Sequence, residues 1–390
     1  MVKKLVIPYR IKFSQESRER IFELMQAPFD SGMVGDHTLC RTLEKNVLSL
    51  YPHFKYAVTV SDCTTALEIV YKYLARFRGI ESVDVQDHTF ISDFWAAENA
   101  GLDVRLVDVS KEDFLPQVEK DTEALLVAPI GGVVSKRINP LFFDCAKRGI
   151  PFIVDAAHAL GTAPLRNDDI PMQATLQADF VTFSFGRIKP ATGGTGGMIL
   201  TRNSKFVDYA RAMVEWGKRG HKNYYHGVSG LMSEWNAAVA IERLERLPQE
   251  IMYRESIASV YDDVLKKFSD RIRYGTYTAR GDSYTNFYRY YIMAEFGWNI
   301  DYAGIMIEML NEYGIHLPAR VYQYGIHEQD DLKERYESYS DKEFPNTMHI
   351  TKNHICLPCY MDMESGGTLD VAYYVAEAIQ KTLPKFLRKV

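Results

Sequence analysis

The sequence is poor in the features that mark several protein classes. It has five cysteines in 390 residues, an odd number without framework spacing, so a disulfide scaffold is excluded and a reducing, cytoplasmic setting is expected. No stretch approaches the ~20 apolar residues of a membrane span. The apolar run near the start, in M-V-K-K-L-V-I-P, is too short for a signal-peptide core. Basic residues form no block and the formal net charge is -5, which argues against nucleic acid as the main partner. Internal repeats and low-complexity linkers are missing too.

What remains is an ordinary globular composition, 46% hydrophobic and 25% charged. The length exceeds the usual ~100–200 residues of one domain, so a large domain over residues 1–251 and a small one over 252–390 are expected. Ser14 to Met25 and Thr38 to Leu50 read as amphipathic helices. Strand-like runs follow at Tyr56–Val60, Ser82–Gln86, Gly101–Asp108, Ala124–Pro129 and Phe152–Asp155, separated by helical runs such as Asn139–Arg148. Strands and helices alternating at this spacing make an α/β fold with a mostly parallel sheet. Beyond Glu255 the pattern turns α+β, with Tyr284 to Met293 read as one strand and Tyr302 to Tyr313 as a helix closed by Gly314.

The chemistry gathers in two stretches. Phe180 to Thr201 holds two buried-strand patterns with Lys189 and a glycine cluster between them, and Pro190 biases Lys189 away from helix. A lysine held at a buried strand end, among small residues, is a candidate Schiff-base nucleophile. Upstream, an apolar strand ends in Asp155, with His158 three residues on. A carboxylate closing a parallel strand points into the crevice where α/β folds bind ligands. Asp155 with a downstream lysine suits pyridoxal phosphate, whose pyridine nitrogen a carboxylate keeps protonated so that the ring acts as an electron sink.

With D-A-A-H at 155–158, S-F-x-x-x-K at 184–189 and the Gly-Gly pair beyond it, the sequence resembles the DegT/StrS-type aminotransferases of fold type I. The resemblance implies a pyridoxal phosphate enzyme that aminates keto sugars attached to nucleotides, with glutamate or glutamine as donor, working as a homodimer. It implies that Lys189 carries the cofactor, that Asp155 pairs with its ring nitrogen and that His158 stands near its phenolic oxygen. Ser61, Thr64, Ala66 and Leu67 match the family's S-x-G-T-x-A-L, whose threonine and adjacent backbone hold the cofactor phosphate; Cys63 replaces the glycine. Ser184 matches a phosphate-contacting serine, and Phe90 an aromatic stacked on the pyridine ring. Ser229 stands where the family has an asparagine that reaches the partner subunit's cofactor. In the small domain His327 matches the last residue of a substrate-facing motif, with Gln323 in place of its tyrosine. Arg320 is a candidate for a substrate carboxylate or phosphate.

Other readings are open. Ser61 or Asp62 can serve as an ordinary helix cap. Glycines 193, 194, 196 and 197 lead into a strand rather than a helix, which fails the context of a dinucleotide loop. Cys356 and Cys359 form a lone C-x-x-C, weak grounds for zinc or redox use. A lyase or desulfurase of the class V kind would place histidine directly before the lysine, where Ile188 stands. A non-catalytic regulatory relative has no need of Lys189.

Overall fold

A computed structural model describes residues 5–9, 11–32, 38–162, 176–275, 283–335, 339–361 and 369–390. Helix α1 (Gln15–Ser31) starts where Ser14 accepts the Ser17 N–H at 3.1 Å. Helix α2 (Thr38–Leu50) buries Leu39, Leu43 and Val47, one stripe at helical spacing. Both pack against the long helix α7 (Glu234–Leu265).

Seven strands form the central sheet: β1 (Tyr56–Val60), β2 (Ser82–Gln86), β3 (Asp103–Val107), β4 (Leu125–Val127), β5 (Phe152–Asp155), β6 (Phe180–Ser184) and β7 (Gly197–Thr201). Their order is β1-β7-β6-β5-β4-β2-β3, and β7 alone runs against its neighbours. Every residue of β5, β6 and β7 is buried, which is why these strands read as continuous apolar runs instead of alternating ones. The fold is therefore the α/β, mostly parallel architecture expected. Helices α3 (Cys63–Arg78) and α4 (Ile91–Asn99) follow β1 and β2, so the N-terminus of each opens at the edge where the parallel strands end.

Helix α7 joins two cores. Ile251 packs with the sheet, whereas Ile257 and the residues after it pack with a second apolar cluster. The expected boundary at 251/252 thus falls inside a continuous helix. Val6 joins the second cluster, giving its N–H to Gly314 at 3.1 Å and taking that of His316 at 2.8 Å. Val6 thus packs with the second cluster, although the sequence groups it with residues 1–251.

The stretch read as one strand from Tyr284 to Met293 is divided. Ser283–Thr285 pairs with Val133–Ser135, while Tyr290–Ala294 is the middle of a three-stranded sheet with Ile272–Gly275 and His354–Leu357. Phe287 breaks the strand at φ 49°, a left-handed conformation costly for such a residue. The buried Asn286 side chain holds the break, donating to the carbonyls of His158 and Leu160 at 2.9 Å each.

Candidate active site

The side chains of interest meet at the carboxyl end of the parallel strands, the edge at which open α/β sheets bind ligands. Asp155 closes β5 and is 7% exposed. Its Oδ1 accepts the Ala157 N–H at 2.8 Å and the Cys63 thiol at 3.6 Å. Both of these donors fall on Oδ1, and the Asp93 carboxyl adjoins the same group.

Behind Asp155 lies a cluster of buried polar side chains. Asp93 of α4 belongs to it, and burial together with the Asp155 charge raises the Asp93 carboxyl well above the usual range. Thr89 donates to Asp93 Oδ2 at 2.6 Å. Asp93 Oδ1, Tyr71 Oη and Thr182 Oγ1 are buried and without hydrogen-bond partners. Burial and the neighbouring Asp155 also push the Cys63 thiol far up, so it stays a neutral donor.

His158 is buried between two tyrosines. Its Nδ1 accepts the Gly131 N–H at 3.2 Å, which puts the ring proton on Nε2. Gly131 has φ 69°, and a side chain there would overlap the Tyr291 ring, so this donor position requires glycine. Nε2 lies 3.4 Å from the Tyr322 hydroxyl. Burial first, then the charges of Lys189, Arg289 and His88, hold the His158 imidazole neutral, well below its ordinary range. The Tyr288 ring stands 4.7 Å from His158, and Lys189 Nζ lies 6.0 Å from the centre of the same tyrosine ring. Lys189 sits on the turn after β6, its N–H bonded to Gly186 O at 3.0 Å. Ser184 ends that strand and accepts the Gly186 N–H at 3.2 Å.

At the start of α3, Asp62 is the cap. It takes the Thr65 N–H at 2.8 Å and the hydroxyls of Ser61 and Thr65. The backbone N–H groups of Cys63 and Thr64 belong to the first turn and have no partner within the helix. Gly197 of β7 approaches so closely that a Cβ would run into the Asp62–Cys63 peptide. The cap and an anion-receiving turn therefore coexist, with the Asp62 carboxylate tied up by three donors.

The remaining sequence candidates are scattered. Phe90 precedes α4, is 49% exposed, and its ring is 5.8 Å from that of Tyr322. Tyr322 in turn stacks on His158 at 5.8 Å and 12°. Ser229 is exposed, beside Gly230, whose carbonyl accepts the Ser61 N–H at 2.7 Å. His327 is turned into the protein between Asp87 and Asp341 and stacks on Phe344, so it does not face the cleft. Arg320 donates to the carbonyls of Thr351 and Lys352 at 2.8 and 3.1 Å and lies over Tyr302, spending its charge on a helix end. Cys356 and Cys359 are free buried thiols, pushed up by burial to about 11 and about 12. Among the described residues no group of His, Cys, Asp or Glu could hold a metal ion.

Tyr288, Tyr322 and Asp93 were not singled out from the sequence. Tyr322 lies one residue from Gln323, the position matched to the family's tyrosine, and that spacing is the signal that could have found it. Nothing local marks Tyr288 or Asp93.

The profile of the DegT/DnrJ/EryC1/StrS aminotransferase family matches residues 15–379. The chain belongs to this family. GDP-perosamine synthase of Vibrio cholerae is 28% identical over 217 residues, 53% of this chain, and the chain spans 57% of that relative's length. Among solved structures, DesV of S. venezuelae superposes with a TM-score of 0.82 at 19% identity, covering 97% of this chain and 98% of DesV. Spr1654 of Streptococcus pneumoniae, in its PLP form, gives 0.80 at 19% identity, covering 98% and 99%. These two likenesses carry the fold.

Aminotransferases of the DegT family use pyridoxal phosphate, and the donor set present fits that group. A buried carboxylate suits a pyridinium, a neutral imidazole with its proton on Nε2 suits a phenolic oxygen, and an open helix turn suits a phosphate. Among the described residues no helix is long and apolar enough to cross a membrane.

Proposed function

We propose that this DegT-family protein is an aminotransferase that moves an amino group from glutamate or glutamine to a keto group of a nucleotide-linked deoxy sugar. The single observation that carries the reading is the meeting of Asp155, Lys189 and a neutral His158 at one edge of the sheet. Pyridoxal phosphate, when bound, supplies the electron sink that lets a proton leave the carbon bearing nitrogen. Lys189 would hold the cofactor, and its amine, when free, would move the proton as general base and acid. Asp155 would keep the ring nitrogen charged, and His158 would donate from Nε2 to the phenolic oxygen. The Cys63 and Thr64 N–H groups and the Ser184 hydroxyl would take the phosphate, with Phe90 as the aromatic beside the ring.

Names of relatives such as the perosamine synthase of V. cholerae support a sugar acceptor. The exposed Ser229, at the rim of the phosphate turn, supports a homodimer in which this hydroxyl reaches across to the partner's site. Five buried free thiols suit a reducing cytoplasm. Two apolar cores that meet along α7 support a large unit and a small one with the substrate cleft between them.

The test is the visible spectrum of the purified protein, before and after glutamate, beside Lys189→Ala. A yellow protein that glutamate bleaches, with a variant that lacks this response, is the expected result. A yellow protein indifferent to both glutamate and glutamine would overturn the donor half of the reading. A colourless protein, even with cofactor supplied, would overturn the whole of it.

A further inference from the structure

Asp93 has no contact of its own to offer the cofactor, yet its carboxyl is packed against the one that would meet the ring nitrogen. It lies in the first turn of α4, is fully buried, and comes within hydrogen-bond reach of Asp155. Its Oδ2 accepts the Thr89 hydroxyl at 2.6 Å. Its Oδ1, equally buried, is offered no hydrogen by the described residues. Asp155 is better supplied, with the Ala157 N–H at 2.8 Å and the Cys63 thiol at 3.6 Å.

Two carboxylates in buried contact cannot both keep their charge, so one of them brings a proton. The donors decide which. An N–H and a thiol stabilise the anion on Asp155, whereas Asp93 receives a single hydroxyl. A proton on Asp93 Oδ1 leaves Oδ2 as the carbonyl oxygen that accepts from Thr89, and it turns the contact with Asp155 into a hydrogen bond. The other ionisable neighbours are Cys63 and Tyr71 of α3, Tyr322 and Lys189. Burial keeps the thiol and both phenols neutral. Lys189 is the cation that the cofactor would engage.

A buried carboxylate beside a pyridinium has an alternative, because the ring proton can cross over and neutralise both groups. A hydrogen bond donated to the carboxylate favours its charged form and so leaves the proton on the ring.

We propose that Asp93 is a positioning residue, a neutral acid that donates to Asp155 and thereby holds the proton on the cofactor's ring nitrogen. This role rests on the reading of Asp155 as the partner of that nitrogen.

Nitrogen NMR of the holoenzyme, loaded with pyridoxal phosphate labelled at the ring nitrogen, reads that proton directly and is paired with cofactor affinity. The parent should show a protonated ring nitrogen. Asp93→Asn, whose amide can donate to Asp155 and accept from Thr89, should keep it. Asp93→Leu, with no donor, should move the signal toward the unprotonated ring and weaken cofactor binding about tenfold, the scale of one hydrogen bond. A parent-like signal with affinity within about twofold in Asp93→Leu would overturn the proposal. So would a loss in Asp93→Asn as large as that in Asp93→Leu, since the carboxylate would then be the form required. If Asp93→Leu does not fold, infrared spectroscopy decides. The parent should carry the carbonyl band of a buried carboxylic acid that Asp93→Asn lacks, and identical spectra would overturn the assignment. Asp155→Asn separates the two readings. An unprotonated ring in the parent, or no change in Asp155→Asn, would sink the role of Asp155 and that of Asp93 with it. A signal that Asp155→Asn alters and Asp93→Leu does not would sink Asp93 alone.

Discussion

Nδ1 of His327 lies 2.7 Å from Oδ2 of Asp87, and the other oxygen of Asp87 accepts the backbone N–H of His327 at 2.8 Å. Asp87 follows β2, whereas His327 belongs to a turn 240 residues later that begins just after Tyr322. Asp87 also takes the Ile326 N–H on its carbonyl at 3.0 Å. The pair thus docks the segment that carries Tyr322 against His158. It is a positioning contact, with side chains 2% and 0% exposed.

His327→Ala should cost about 3–5 kcal/mol, the usual loss when one partner of a buried pair is removed. Burial opposes the charge on His327, but the hydrogen bond and charge of Asp87 outweigh it and raise the imidazole above its ordinary range. Burial raises the Asp87 carboxyl as well. The histidine's stabilisation is full below its unfolded pKa of ~6.5 and fades as pH rises through the folded value; the raised carboxyl has the same sign, with a loss that begins above ~3.9. Urea midpoints of the parent and His327→Ala, compared from pH 6 to pH 9, should converge as pH rises. A constant gap would refute the ion pair.

Asp93 gives a prediction of opposite character. The unfolded carboxyl titrates near ~3.9, the folded one far higher, so above ~pH 4 the acid destabilises the fold increasingly as pH rises. Asp93→Asn keeps the shape and an acceptor for Thr89 but has no proton to lose. Its melting temperature should match the parent near pH 4 and exceed it at pH 8. A variant less stable at pH 8 would show that the ionised form is needed.

His158 should not titrate in the working range, because burial and three nearby cationic or ionisable groups, Lys189, Arg289 and His88, keep it neutral. The pH–rate profile of the glutamate half-reaction should show no inflection that disappears in His158→Asn. Loss of the donor in His158→Phe should slow that half-reaction about tenfold, the scale of one hydrogen bond of about 1.4 kcal/mol. His158→Asn, which can still donate, should lose less. Equal rates for parent and His158→Phe would remove the residue from the mechanism.

The five cysteines should be inert in the folded protein. All are buried, and burial leads the upward shift of each thiol. Alkylation at pH 7 should modify them only at the rate of unfolding, and metal chelators should leave activity unchanged. Rapid labelling of Cys356 or Cys359 in native protein, or inhibition by a chelator, would reopen the C-x-x-C pair.

Residue order alone determined the architecture and the two ends of the chemistry. Buried strands written as continuous apolar runs, helix caps at Ser14 and Gly314, and the sequence spacing from Asp155 to Lys189 are local properties, carried by periodicity and turn chemistry. They place both residues at strand ends, and strand ends in a parallel sheet lie on one edge. Only the tertiary structure decided which other side chains join them. Tyr288 and Tyr322 reach His158 from 130 and 164 positions away in sequence, and Arg254 of α7 and Arg289, in the bend before Tyr290–Ala294, line one pocket with Lys189. His327 and Arg320, matched or proposed by pattern, are drawn off by a buried carboxylate and by a helix end. The physical reason is that a polar side chain goes to the strongest partner the packing brings within hydrogen-bond reach, and sequence spacing does not carry that partner's identity.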